Sequence, residues 1–222
     1  MESVARGGTR WKRFALVMVP SVAATAAIGI GLAQGALAAS FTVSGQQFKV
    51  KAGHIEGYGF SSYGAVDTGY EEMTGDGKTA RAVSVSSFKT ATIRDMCQSV
   101  VTDLPVLGKI TMRMTAGEGK EPVKARNLYL DIAQLDGNAT FDDIDIGVAV
   151  KDTDNAAGPD GPAGQGPPVK GRVQENGFAQ QARKATLTDV EQTAWATTAG
   201  SFSLAGLKMR LLRGDGPDAE CF

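Results

Sequence analysis

The chain has 222 residues, 42% of them apolar and 21% charged, with 28 glycines and a formal net charge of −1. That balance belongs to one ordinary globular domain with extensions and excludes a disordered tail. It also lacks the cationic excess through which a protein binds nucleic acid by charge.

Residues 1–13 hold Arg6, Arg10, Lys12 and Arg13 against Glu2, and residues 14–39 then carry no charged side chain. A basic stretch followed by an apolar one is an export signal. The run ends in Ala36-Leu37-Ala38-Ala39, small residues suited to signal peptidase, so cleavage after Ala38 would release a chain starting at Ala39. Its length favours a retained anchor, since a bilayer needs about 20 residues, and Trp11, Lys12 and Arg13 would then flank the membrane segment. Its composition favours cleavage, because Pro20, Gly29, Gly31 and Gln34 interrupt it and much of the rest is alanine. Both outcomes predict an exported protein with residues 40–222 outside, either extracellular or anchored in the cell membrane. Removing residues 1–38 takes four basic and one acidic side chain from totals of 23 and 24, leaving 19 against 23.

Cys97 and Cys221 are the only cysteines. Outside the cytoplasm, two thiols and no others read as one disulfide. A nucleophilic thiol would need a neighbouring imidazole or cation, and His54 is the only histidine.

Alternation of apolar and polar residues recurs along the exported part. It appears at Phe41 and Val43, Phe48 and Val50, Val83 and Val85, Ile110 to Met114, Leu128 to Ile132, Ile144 to Val150, Phe202 and Leu204, and Leu207 to Leu211. This is the pattern of half-buried strands. Turn-forming clusters separate them at Gly57–Gly59, Thr74–Gly77, Gly117–Gly119, Asp136–Asn138 and Gly214–Pro217. Only Gly177–Lys184 has passable helix propensity, and it is too short to stand alone. The prediction is an all-β domain over residues 39–222, either a single β-sandwich or a solenoid-like stacked sheet, after an N-terminal apolar signal or anchor helix over 1–38. Residues 152–171 hold five Gly and four Pro and are predicted to be a flexible surface insertion.

One hexapeptide occurs three times: Ala91-Thr92-Ile93-Arg94-Asp95-Met96, Ala139-Thr140-Phe141-Asp142-Asp143-Ile144 and Ala185-Thr186-Leu187-Thr188-Asp189-Val190. Each reads Ala-Thr-apolar-any-Asp-apolar, as a strand whose Asp precedes an inward apolar residue. A true repeat would favour the stacked or elongated sheet.

Chemistry is sparse. No Gly-any-Ser-any-Gly elbow occurs, and Gly59-Phe60-Ser61-Ser62-Tyr63-Gly64 has the wrong spacing. Any imidazole-dependent triad must use His54, with Ser61 or Ser62 as its nearest candidate nucleophiles. One His and two distant Cys cannot supply a zinc site, and Asp142, Asp143 and Asp145 lie in no EF-hand loop. No cofactor or metal is predicted. Trp195 reads as a core residue, with a ligand platform as the alternative. Tyr58, Phe60, Tyr63 and Tyr70 read as aromatics of a Gly-rich loop suited to binding another surface.

The leader MESVARGGTRWKRFALVMVPSVAATAAIGIGLAQGALAAS, with MCQSVVT, NLYLDI, DIDIGVAVKD, GFAQQA and QTAWATTAGSFSLAGLKMRL downstream, resembles a family of actinobacterial (streptomycete-type) exported proteins of unknown function. The resemblance covers nearly the whole chain and includes both cysteines. It carries a frequent automated label of cholesterol esterase, and it implies a neighbouring gene for a small multi-pass membrane protein. The label demands a nucleophile, a base and a sterol pocket, of which the sequence offers only His54. The sequence therefore points away from catalysis, to a cell-envelope or secreted protein that binds or assembles with a membrane-protein partner. A lipid or sterol ester hydrolase and a lipid-binding module are the alternatives, with lipid as a second candidate partner and nucleic acid excluded.

Overall fold

The computed structural model describes residues 44–70, 78–153 and 173–222. The leader, with Trp11, Lys12, Arg13 and the cleavage pair Ala38 and Ala39, lies outside the described residues, as do positions 154–171 of the Gly/Pro insertion.

Seven strands account for most of what is described: β1 Phe48–Tyr70, β2 Lys78–Arg94, β3 Met96–Leu104, β4 Gly108–Ala116, β5 Val123–Ala149, β6 Phe178–Ser203 and β7 Lys208–Arg213. A single 3-10 turn, Val150–Asp152, follows β5. In place of two stacked sheets or a solenoid, the strands form one antiparallel sheet in the order β2-β5-β6-β1-β3-β4-β7, and an extra β1–β2 pairing closes it. Four long strands thus make a ring, and β3, β4 and β7 extend from β1 as a three-stranded wing. β1 runs against β2 and β3 as one hairpin, in constant register from Tyr70↔Lys78 to Lys49↔Ser99.

Several expected turns are strand interior. Gly57 and Gly59 lie within β1 and Gly137 within β5, and the segment from Phe178 to Lys184 is strand. Gly57 is required by packing, since a Cβ there would lie 2.2 Å from Cδ1 of Phe88. The aromatics at 58, 60, 63 and 70 are therefore strand residues and not loop residues. Phe60 is buried, against the rings of Phe88 and Phe141 at 5.4 and 5.1 Å, while Tyr58 and Tyr70 are exposed.

The hexapeptide has a direct structural meaning. Asp95, Asp143 and Asp189, the fifth residue of each copy, all have left-handed backbone, with φ of 52°, 54° and 52°. Asn127 and Gly59 have it as well, at 50° and 63°. Only Gly, Asn and Asp adopt this conformation readily. Each such residue acts like a bulge: it turns the following side chain back to the face that simple alternation would deny it. Buried positions are spaced alternately by two and three residues, and Gly59, Asp95 and Asp189 each lie within a three-residue step. They fall at Ala52, Ile55, Gly57 and Phe60 on β1, at Phe88, Ala91, Ile93 and Met96 across β2 and β3, and at Ala182, Ala185, Leu187 and Val190 on β6. The second copy departs in part, because Ile144 is 37% exposed. Bulges raise strand twist and curvature, and curvature lets so few strands close a ring.

Inside the ring lies the main core, which includes Ile55, Phe60, Phe88, Leu128 and Leu187. A second cluster covers the opposite sheet face, with Val83, Val85, Tyr129, Val150 and Val173. Trp195 packs on this second cluster, and the Arg81 guanidinium stacks over its ring at 3.9 Å. Arg81 also donates to the carbonyl of Tyr70. Burial pushes the Tyr129 phenol pKa up.

Candidate functional site

Three features of the fold bear on function: the two faces of the wing and a cavity inside the ring.

One wing face carries Ser99, Thr111 and Arg113 and is covered by the C-terminal segment. Cys97 and Cys221 form a disulfide, with Cα atoms 5.7 Å apart. The tail is further held where the Thr111 hydroxyl donates to the Gly214 carbonyl at 2.6 Å and the Cys221 amide donates to Ser99 Oγ at 3.1 Å. Lys49 reaches from β1 to Glu220 at 2.9 Å and to the main-chain oxygen of Phe222 at 2.9 Å. Burial pushes the Glu220 carboxyl pKa up, but hydrogen bonds from Lys49 and the Gly216 N–H outweigh it and hold it below its ordinary value.

The opposite wing face is apolar; it is open at Met112, Met209 and Leu211, while Val100 and Met114 are half-buried and Met114 packs on the main core. Register places Val100 beside Met112 and Met112 beside Leu211, with Met114 beside Met209 in the next row. Side chains two apart on a strand share a face, so these residues form one surface with Ile110. Met209 is 58% and Leu211 73% exposed. At the tip of the β3–β4 hairpin, Val106 is fully exposed and Leu107 largely so. The chain enters the fold beside this tip, where the Gln46 side-chain amide donates to the Val101 carbonyl at 3.0 Å.

Within the ring, all four long strands contribute to a cavity of about 240 Å³. Its apolar wall includes Ile55, Phe60, Phe88, Leu130, Ile132 and Leu187. Polar groups interrupt that wall: Ser62, Ser84 and Ser86 are linked through Oγ contacts of 3.3 and 3.5 Å, and Gln180 and Gln192 lie on β6. Among the described residues, no charged side chain lines it. The mouth is the exposed stretch 133–139 of β5, where the β5–β6 register shifts.

The residues considered for hydrolysis are not brought together. His54 and Ser61 are seven positions apart on one strand, on the order of 20 Å at the usual rise. Ser61 is buried, with its Oγ 2.8 Å from that of Ser87. Among the described residues no group of three or more His, Cys, Asp or Glu could hold a metal ion. Of the acidic run, Asp143 pairs with Arg183 at 2.6 Å and Asp145 accepts from Gln181 at 3.2 Å. No described helix is long and apolar enough to cross a membrane.

Cavity and wing were missed by sequence reasoning, the first because its lining is drawn from positions 55 to 192. Alternation on β4 and β7 was visible, but a strand pattern does not tell a buried face from an open one.

Fold and site together define an all-β protein with a closed ring, a lined cavity and a disulfide-tied wing. The chain belongs to a family of unknown function (DUF6230), whose model matches residues 44–222. No curated protein and no solved structure matches it.

Proposed function

We propose that this is a non-catalytic envelope protein that binds, through the open face of its wing, a small multi-pass membrane protein on the outer side of the cell membrane. The observation that carries this reading is the exposed apolar surface of Met112, Met209 and Leu211, which adjoins half-buried Val100 and Met114 and is left open by the rest of the described fold. Contiguous exposed apolar surface marks an interaction site.

Two observations favour a membrane-embedded partner over a second copy of the chain. β7 is an open edge, but it reads Lys208-Met209-Arg210-Leu211-Leu212-Arg213, and three cations on so short an edge oppose pairing with itself. Ala39, the small residue at which the expected leader ends, is seven residues before Gln46, at most about 25 Å of extended chain. A retained leader would therefore hold the wing and its apolar tip close to the bilayer.

The test is co-purification of the membrane protein encoded beside this one. The wild-type protein retains it, Leu211→Glu loses it, and Arg210→Glu on the tail-covered face keeps it. Retention by Leu211→Glu, or no complex with the wild type, would overturn the reading. A hydrolase would require a catalytic group other than a His54 triad.

A further inference from the structure

We propose that the cavity inside the ring is a binding site for a neutral, medium-chain amphiphile whose hydroxyl or amide N–H donates to Gln192. This site is independent of the wing and of any partner that the wing binds.

Gln192 is 3% exposed, lines the cavity, and has an Oε1 with no hydrogen-bond partner among the described residues. A buried acceptor without a donor is costly, and native proteins fill such positions with a protein group, a water or a ligand. The neighbouring surface decides between these. Phe60, Phe88, Leu130 and Ile132 make most of the wall apolar, which suits a hydrocarbon segment better than a cluster of waters.

Size and charge limit the ligand further. At about 30 Å³ per heavy atom, the liquid volume of a water, 240 Å³ holds about eight atoms. That is an octyl-length chain, or the end of a longer one, and not a whole sterol. With no cation in the lining, a carboxylate or phosphate would lose its hydration without a counter-charge, so the head group is neutral. The three linked serines supply further hydroxyls for a head group with more than one oxygen. Entry is at the mouth, where Leu135 is paired with Gln192 across the β5–β6 ladder.

The experiment is calorimetric titration of the protein, recovered from its host in native form, with 1-octanol, 1-chlorooctane and sodium octanoate, against an equal amount of any accompanying lipid as reference. The expected order is 1-octanol tightest, chlorooctane about tenfold weaker for want of a donor, and octanoate weaker still at pH 8. Gln192→Leu is expected to bring octanol down to the level of chlorooctane while leaving chlorooctane unchanged. Should Gln192→Leu fail to fold, Ala139→Trp at the exposed mouth is expected to abolish binding of both. No binding of octanol to the wild type would mean a cavity that holds water alone. Equal binding of octanoate, an unchanged octanol-to-chlorooctane ratio in Gln192→Leu, or undiminished binding to Ala139→Trp would equally overturn the proposal.

Discussion

Asp189 offers a clean test of why the hexapeptide folds as it does. Its backbone is left-handed at φ 52°, its side chain is exposed, and it accepts a long hydrogen bond from the Asn138 amide at 3.4 Å. Replacing it with valine removes little by way of contacts but puts a β-branched residue where L side chains lose about 1–2 kcal/mol. We expect Asp189→Val to cost about 2 kcal/mol, a fall in melting temperature of about 4–8 °C for a domain of this size. In urea, with a slope of about 2 kcal/mol/M, the midpoint should drop by about 1 M. Asp189→Gly should stay within about 1 kcal/mol of the wild type, since glycine adopts this conformation freely but has more freedom to lose on folding. Asp142→Val, at an exposed position of β5 without positive φ, should be near neutral. If Asp189→Val were as stable as the wild type, or Asp189→Gly fell as far as the valine variant, the left-handed residue would not be what the repeat encodes.

Three further outcomes follow from the packing and the tail. Replacing both Cys97 and Cys221 by serine opens a loop of sequence separation 124 and should lower stability by at most about 5 kcal/mol on the loop-entropy model, read as the shift in urea midpoint. Gly57→Ala should cost about 1–3 kcal/mol by overpacking, because the new methyl meets Phe88; Gly57→Ala with Phe88→Leu should recover part of it in the same melting assay. Glu220 has a depressed folded pKa. Its contribution is therefore complete above the ordinary glutamate value of about 4.3 and is lost as pH falls through the lower folded value. The stability difference between wild type and Glu220→Gln should stay constant above about pH 5 and shrink toward pH 3; a difference that grew on acidification would contradict the Lys49–Glu220 pairing.

The all-β class and the Cys97–Cys221 bridge were legible because each rests on local or compositional evidence. Of the repeat only the strand with an Asp before an inward apolar residue was legible; the left-handed backbone of Asp95, Asp143 and Asp189 was not, and the stacked sheet that the repeat favoured does not form. The sheet's closure was not legible. Besides the three Asp residues, Asn127 and Gly59 also break the alternation, and neither lies in a copy of the hexapeptide. Glycine also misled: at Gly57 and Gly59 it serves close packing and a left-handed backbone inside one long strand, where the same residues read as a turn. The cavity could not be read at all, because Ile55, Ser86, Leu130 and Gln192 meet only through pairings across the ring. Met209 and Leu211 were seen as strand residues, but their exposure depends on which wing face the tail covers.

The open wing as a docking face for a membrane protein is tested most directly by photo-cross-linking in the native envelope. A photoreactive residue at position 211 is compared with one at position 210, on the face that the C-terminal segment covers. The account predicts an adduct with the small multi-pass membrane protein from position 211 and none from position 210; an adduct from 210 alone, or from neither, would contradict it.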